Sequence, residues 1–288
     1  MNIIIVISVL VGGYVFYKNQ TESIETPKYI IENNKIPKEF DDFKILQISD
    51  LHNKIFGKNN ERLLQKIYKI NPDVIFITGD LVDGEKNNFD VALKFIDQIM
   101  HKYTVYHIIG NHEQKAQIKK YKKEYEVYFS KFKQKNIIDL NNESIRIHKS
   151  SSTINLYGLV TPLESYRYLF DKKEIINIDE QFITSKLGQL NTNEYNILLV
   201  HSPFQFEEYT KWGADLVLSG HVHGGIIRLP IVGGLLSPNR EFFPKYDLGE
   251  YKKDNTTMIV SKGLGGSKVI LRLNCKPEIV EIKLKSKK

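Results

Sequence analysis

The sequence predicts an α/β protein in which two mostly mixed β-sheets pack face to face, with helices on the outside of both sheets. Two observations lead to this four-layer sandwich. In the first half of the chain, short apolar runs alternate with segments of helical periodicity, which is typical of strands joined by helices. The last part carries mostly short strands separated by glycine-rich turns, which indicates a second sheet.

The first half predicts three strand–helix pairs. In the first of these helices, Leu63, Ile67 and Ile70 recur at helical spacing, and Asn71-Pro72 ends the helix. The other two strand–helix pairs are predicted in the same way, from an apolar run followed by a segment of helical periodicity. The strands are expected at 43–49, 73–78 and 104–109, and the helices near 58–70, 88–100 and 114–133.

The second half predicts mainly strands with two short helices between them. The strands are expected near 137–140, 145–148, 153–159, 195–200, 214–218, 225–229, 257–261, 268–273 and 278–284, and the helices near 179–188 and 204–211. No internal repeat and no low-complexity linker follows residue 42. Residues 43–288 are therefore predicted to form one domain.

The N-terminus predicts a membrane anchor or uncleaved signal over residues 1–18, followed by a linker and lead-in strand over 19–42. The run from Ile3 to Tyr17 carries no charge. As a helix it would reach about 22 Å, against roughly 30 Å for a bilayer core, so it would need flanking residues or a thin membrane. A cleaved signal peptide is the alternative, but no basic side chain precedes the run and no Ala-x-Ala follows it. The protein is therefore expected to be membrane-associated through a single anchor, with the side of the membrane left open.

The composition indicates which kinds of molecule the protein is expected to bind. The formal charge of +7 favours anionic partners, such as phosphate esters or an anionic membrane surface. The lysines are dispersed and form no basic stripe with interleaved aromatics, so nucleic acid is not an expected partner. No obligate protein partner is predicted either. Cys275 is the single cysteine, which excludes an intramolecular disulfide.

Five short polar blocks carry the chemistry of the sequence, and each follows an apolar, strand-like run. They are Asp50-Leu51-His52, Gly79-Asp80, Gly110-Asn111-His112, His201 and Gly220-His221-Val222-His223. Taken singly, each block is more often a cap, a turn or a hairpin than part of a functional site. Taken together, they are expected to bring side chains that are remote in sequence to one rim of the sheets.

The side chains in these blocks are metal ligands by type. Carboxylates, an amide oxygen and imidazoles without a thiolate suit Mn, Fe or Zn. His221 and His223 are two residues apart, so in an extended segment they would share a face and serve neighbouring ions. Two ions roughly 3.5–4 Å apart with a bridging carboxylate suit phosphoryl displacement.

The order of these blocks over residues 44–225 resembles the calcineurin-like metallophosphoesterase superfamily. The segments Ile48–Asn53, Thr78–Gly84 and Ser219–Pro230 are similar to its membrane-associated bacterial branch, typified by the YkuE and YaeI proteins. The resemblance implies the metallophosphoesterase fold and a metal-dependent phosphohydrolase of phosphodiesterase, phosphomonoesterase or pyrophosphatase type. Such an enzyme cleaves a phosphoester or pyrophosphate bond by attack of a metal-bridging hydroxide.

The resemblance also implies a role for each polar residue. Two divalent ions would be held by seven side chains: Asp50, His52 and His223 at the first ion, Asn111, His201 and His221 at the second, and Asp80 bridging both. His112 would bind no metal and would act beside the leaving group, as a general acid or transition-state stabiliser. A non-catalytic metal-binding scaffold on the same fold is the alternative. A scaffold is expected to have lost His112 or some ligands, and here each position is filled.

Substrate contacts are expected outside the metal ligands. Asn53 directly follows the first block and is the expected contact near the metals. In the segment 233–243, Arg240 would meet a phosphate, and Phe242 and Phe243 would meet an acyl chain or the membrane surface. A lipid-linked or sugar-nucleotide phosphoester would suit such a flap. A packed loop without a role in binding is an equally good interpretation of this segment.

Overall fold

A computed structural model describes residues 3–166, 176, 178–238, 242–266 and 272–287. The helices are α1 Ile3–Glu22, α2 Glu61–Ile70, α3 Asp90–Ile99, α4 Asn111–Ile118, α5 Lys122–Lys133, α6 Glu180–Leu187 and α7 Phe206–Trp212. The strands are β1 Lys28–Asn33, β2 Lys44–Ile48, β3 Val74–Thr78, β4 Thr104–Ile108, β5 Ile138–Asp139, β6 Glu143–Lys149, β7 Ser152–Leu159, β8 Asn196–Val200, β9 Leu216–Ser219, β10 Arg228–Leu229, β11 Gly233–Gly234, β12 Gly249–Lys253, β13 Thr256–Val260 and β14 Val280–Ser286.

The strands form two mixed sheets of six strands each, and β10 and β11 form a separate two-stranded ribbon. The first sheet has the order β1-β14-β2-β3-β4-β5, in which β2 to β5 run parallel and β14 runs antiparallel to β2. The second sheet has the order β12-β13-β9-β8-β7-β6, with parallel strands from β13 to β7 and an antiparallel strand at each edge. The central strands of both sheets are therefore parallel.

Apolar side chains from both sheets form the central core. Phe76 of β3 and Leu199 of β8 belong to the same buried cluster, and every residue of these two strands is buried. Strands covered on both faces are expected to be continuously apolar, as these are. A second cluster joins α2, α3 and α5 to the first sheet, and a third joins α6 and α7 to the second sheet. The predicted four-layer sandwich is confirmed.

The long helix predicted over 114–133 is wrong, because the structure has two helices there. Lys119 is extended, with φ −103° and ψ −166°, and separates α4 from α5. The first helix begins at Asn111, where the Glu113 carboxylate accepts the backbone N–H of Gly110. Because the helix breaks here, α4 can lie beside the polar blocks. Helix α5 then packs aromatic residues, such as Tyr128, into the outer core.

The strand predictions of the last third need two corrections. The predicted strand 225–229 is reduced to β10, since residues 223–225 form a 3₁₀ turn. Strand β12 was not predicted, because its central residues Glu250, Tyr251 and Lys252 are largely polar, as is common on a sheet edge. Most of the strand expected near 268–273 lies outside the described residues.

The predicted N-terminal anchor is the third difference. Helix α1 continues past the apolar run through Lys18 and ends at Glu22, so its last turn is polar. In the part of the chain that the structure describes, no helix is both long and apolar enough to cross a membrane. The structure therefore does not support the expected transmembrane anchor. The last turn of α1 contacts the domain, because Asn274 N donates to Gln20 Oε1 at 3.0 Å and Arg62 pairs with Glu22 at 2.5 Å.

Candidate metal centre

The polar blocks lie at the carboxyl ends of five parallel strands, three from the first sheet and two from the second. Strands β2, β3 and β4 end just before the first three blocks, and β8 and β9 end just before the last two. Because the carboxyl ends of neighbouring parallel strands share an edge, the blocks meet at one rim. The eight predicted side chains are all buried there: Asp50, His52, Asp80, Asn111, His112, His201, His221 and His223.

Six of these side chains divide into two triads. The first triad is Asp50, His52 and His223, and the second is Asp80, His201 and His221; within each, the potential ligand atoms lie within 4.8 Å of one another. In the first triad, His223 Nε2 lies 3.3 Å from His52 Nε2 and 3.6 Å from Asp50 Oδ1.

The carboxylate of Asp80 lies between the two triads. Asp80 Oδ2 lies 3.1 Å from His201 Nε2 in the second triad and 3.6 Å from His52 Nε2 in the first. The other oxygen, Oδ1, accepts the backbone N–H of His112 at 2.8 Å. Asp80 is therefore held between the two groups of histidines.

Tight backbone turns bring these side chains together. Asp50, His52 and Asp80 all adopt left-handed conformations, with φ of 52°, 49° and 54°. Such conformations are uncommon outside glycine and are often found at functional sites. Glycines provide the remaining room: a Cβ on Gly110 would lie 2.2 Å from Asp80 Oδ1, and one on Gly220 would lie 2.0 Å from Ser49 Oγ. This explains why the third and fifth blocks begin with glycine.

The segment of His221 and His223 differs from its prediction. It is not extended, because His221 and His223 have φ of 71° and 53° and a 3₁₀ turn begins at His223. The two rings nevertheless lie in neighbouring triads, although the extended segment from which this was expected is absent. His221 N donates to Asp50 Oδ2 at 3.1 Å, which ties the last block to the first.

Two buried carboxylates near the site were missed from the sequence. Glu113 Oε2 accepts the N–H of Asp80 at 2.9 Å and of Gly110 at 2.8 Å, and so joins two of the turns. Asp83 Oδ1 lies 3.2 Å from His112 Nδ1. Glu113 directly follows His112, and Asp83 lies three residues after Asp80. Acidic residues at such positions are also common in turns and at the starts of helices, so they did not indicate a role in the site.

The electrostatics of the site favour a cation. Burial opposes the charge on Asp80, but the charges of His201 and His112 outweigh it and hold the pKa of this carboxyl well below its usual range. Asp50 behaves in the same way: burial opposes its charge, and His223 and His52 lower its pKa. Burial alone would lower the pKa of His201, but the neighbouring Asp80 raises it to about 9.

The donor set fits a divalent metal ion. Asn111 Oδ1 is buried and has no hydrogen-bond partner among the described residues. Buried acceptors of this kind lose free energy unless a donor or a cation meets them. Carboxylates, imidazoles and an amide oxygen match Mn, Fe or Zn.

Of the three remaining predicted residues, two lie at this site and one lies outside the described residues. His112 lies in the same cluster, with a ligand atom within 4.8 Å of those of His52 and Asp80. Asn53 is buried at the rim, where its amide donates to Asn88 Oδ1 at 2.9 Å and its own Oδ1 has no partner within the described chain. Arg240 lies outside the described residues.

This fold and this class of site belong to a metal-dependent phosphohydrolase. The chain is a member of the calcineurin-like phosphoesterase family, whose model matches residues 43–225. The predicted family is confirmed.

Several relatives share most of the chain. It is 28% identical to the uncharacterized metallophosphoesterase YkuE of Bacillus subtilis, over 96% of this chain and 91% of that protein. It is 31% identical to an uncharacterized metallophosphoesterase of Campylobacter jejuni, over 97% of this chain and 69% of that one. A transmembrane protein with a metallophosphoesterase domain from Danio rerio is 26% identical, over 97% of this chain and 62% of that protein. Among solved structures, the phosphopantetheinyl hydrolase of Mycobacterium tuberculosis superposes with a TM-score of 0.46 at 12% identity, covering 77% of this chain and 90% of that chain.

Proposed function

We propose that the chain hydrolyses a phosphoester or pyrophosphate bond with the help of two divalent ions. The first ion would be held by Asp50, His52 and His223, the second by Asn111, His201 and His221, and Asp80 would contact both. The observation that carries this proposal is the position of Asp80 Oδ2, which faces a histidine of each triad at 3.1 and 3.6 Å. When bound, the ions would neutralise charge on the phosphoryl oxygens and lower the pKa of a water molecule toward neutrality.

In this proposal, His112 delivers a proton or a hydrogen bond to the leaving group. Gly84 N lies 3.1 Å from His112 Nδ1 and donates to it when the ring is neutral. Asp83 Oδ1, at 3.2 Å from the same nitrogen, accepts from it when the ring is protonated. In either state, Nε2 carries a hydrogen that can be donated to the leaving group of the substrate. Burial lowers the pKa of His112, although Asp80 and Asp83 oppose this shift.

The purified full chain tests this function directly. After treatment with a chelator, we expect no hydrolysis of p-nitrophenyl phosphate, bis-p-nitrophenyl phosphate or a pyrophosphate-linked compound. Addition of Mn²⁺ should restore hydrolysis of at least one of them, because the residues of the site provide no nucleophile of their own. A chain that binds two ions and hydrolyses none of these classes would instead support the non-catalytic scaffold.

We further propose a lipid-linked phosphoester as the substrate class. The support comes from an apolar flap, defined as Leu229–Val232 and Phe242–Phe243. Its side chains are strongly exposed: Ile231 fully, Phe242 by 66% and Phe243 by 51%. The ribbon of β10 and β11, to which Leu229 of the flap belongs, approaches the 3₁₀ turn that begins at His223, since a Cβ on Gly225 would lie 2.4 Å from Gly234 Cα. An exposed apolar surface beside a reaction centre suits a substrate with an acyl chain.

The double variant Phe242→Ala plus Phe243→Ala tests the role of the flap. Burial of two phenyl rings contributes several kcal/mol, so we expect kcat/KM for a pyrophosphate-linked lipid in mixed micelles to fall by about tenfold or more. Hydrolysis of bis-p-nitrophenyl phosphate should stay unchanged. Val127→Ala, which removes an exposed apolar side chain from α5, is the matched control. Equal effects on both substrates, or none on the lipid, would contradict the lipid-linked assignment.

A further inference from the structure

Arg272 is a buried arginine whose guanidinium group contacts backbone carbonyls. Nη1 donates to Cys275 O at 3.1 Å, and Nη2 donates to Lys262 O at 2.9 Å and to Gly265 O. Only 4% of the surface of Arg272 is exposed. Among the described residues, no carboxylate forms an ion pair with it. A buried charge without a paired counterion costs free energy, so its contacts call for an explanation.

The carbonyls that Arg272 binds belong to the two segments behind the first triad. Gly265 N donates to Asp50 O at 2.6 Å, and a Cβ on Gly263 would lie 2.5 Å from Asp50 Cβ. On the other side, Cys275 Sγ donates to His223 O at 3.0 Å. Arg272 therefore joins the segment that supports Asp50 to the segment that supports His223.

Arg272 also reaches the ring of His223 directly. Its Nη2 lies 3.5 Å from His223 Nδ1, while His223 Nε2 is turned to Asp50 and His52. The outer nitrogen of the ring thus faces the guanidinium group, and the inner nitrogen faces the triad. A neutral ring that offers Nε2 to an ion carries its hydrogen on Nδ1 and accepts no hydrogen bond there, so Arg272 acts on His223 through the backbone carbonyls rather than through this nitrogen.

The second triad has a different support. The outer nitrogen of its His201, Nδ1, lies 2.7 Å from Thr78 O, a backbone carbonyl at the end of β3. This is the usual partner for the second nitrogen of a ligand histidine. Arg272 is therefore tied to the first triad, whereas His201 of the second triad is oriented by a contact that does not involve Arg272.

We infer that Arg272 is a positioning residue for the first metal ion, acting through Asp50 and His223. Among the described residues, its guanidinium group forms no hydrogen bond with Asp80 or His201. This inference rests on the two-ion site of the proposed function. Metal binding is measured without substrate, so a chain that binds two ions but hydrolyses nothing would overturn the proposed function and leave this inference standing.

The variant Arg272→Met removes the donors while keeping most of the volume. Loss of a group that orients a metal ligand costs about 10–100-fold in metal affinity. In a Mn²⁺ titration of the metal-free full chain, followed by calorimetry and electron paramagnetic resonance, we expect one of two binding events to weaken by at least about tenfold. The other should keep its affinity. At limiting Mn²⁺, the signal of a coupled ion pair should give way to that of isolated ions.

Two further variants keep the test decisive. Arg272→Lys keeps the charge but not the planar fork of donors, so it should also weaken one site, and it replaces the methionine variant if that chain does not fold. Arg228→Met is the matched control, because Arg228 donates to Gly224 O at 3.2 Å in the same loop but contacts no ligand ring. Wild-type affinity at both sites in the Arg272 variants, or equal weakening of both, would overturn the inference.

Discussion

Asp80→Asn is expected to lower turnover by about a thousandfold or more and to weaken the binding of both metal ions. Removal of one group that stabilises transition-state charge costs about 10²–10³-fold in kcat, and weaker binding of both ions adds to this loss. The carboxylate oxygen Oδ2 faces His52 and His201, so its replacement by an amide changes the ligand environment in both triads. An amide can still accept the N–H of His112 through one oxygen, so the turn is expected to stay intact.

The measurement for this variant is metal content per chain, alongside kcat. Asp139→Asn is a matched control, because Asp139 also bonds a histidine, His107, at 2.9 Å, but lies outside the triads. The control should keep both ions and its turnover. If Asp80→Asn bound two ions with unchanged affinity, Asp80 would not be shared between them. If it lost only one ion, the carboxylate would belong to a single site.

His112→Ala is expected to leave the metal content unchanged while lowering turnover. A positioned proton donor contributes about 10²–10⁴-fold to rate, and it contributes least when the leaving group needs no proton. We therefore expect a large loss of kcat on alkyl phosphoesters and a smaller loss on p-nitrophenyl esters. The contacts of His112 Nδ1 with Gly84 and Asp83 are the structural basis of this expectation.

Metal analysis and the two ester classes together decide the role of His112. His148→Ala, on the exposed face of β6, is the control for a histidine outside the site. Wild-type rates on both ester classes would exclude the proton-donor role. Loss of an ion would make His112 a ligand, which its place in a cluster with His52 and Asp80 allows on distance alone.

The positions of the metal-site side chains could be predicted because they depend on a local pattern. Apolar runs such as 74–77 and 197–200 indicate strands, and a polar residue at the exit of a parallel strand lies at the shared edge. The grouping of His221 with Asp80, and of His223 with Asp50, was implied by the family resemblance, and the turns that produce it have no local signal in the sequence.

Other features depend on contacts between distant segments and have no local signal. Glu113 looks like an ordinary acidic residue in the first turn of a helix, yet it binds the backbone of Asp80. Arg272 is an isolated arginine in the sequence, and its contact with His223 arises only from the tertiary fold. The break at Lys119 was missed because helical periodicity on either side does not reveal the change in direction.

Anomalous diffraction from crystals of the full chain loaded with Mn²⁺ tests the central claim most directly. We predict two anomalous peaks. One should be coordinated by Asp50, His52 and His223, the other by Asn111, His201 and His221, and Asp80 should coordinate both. A single peak, or two peaks that do not share Asp80, would contradict the account.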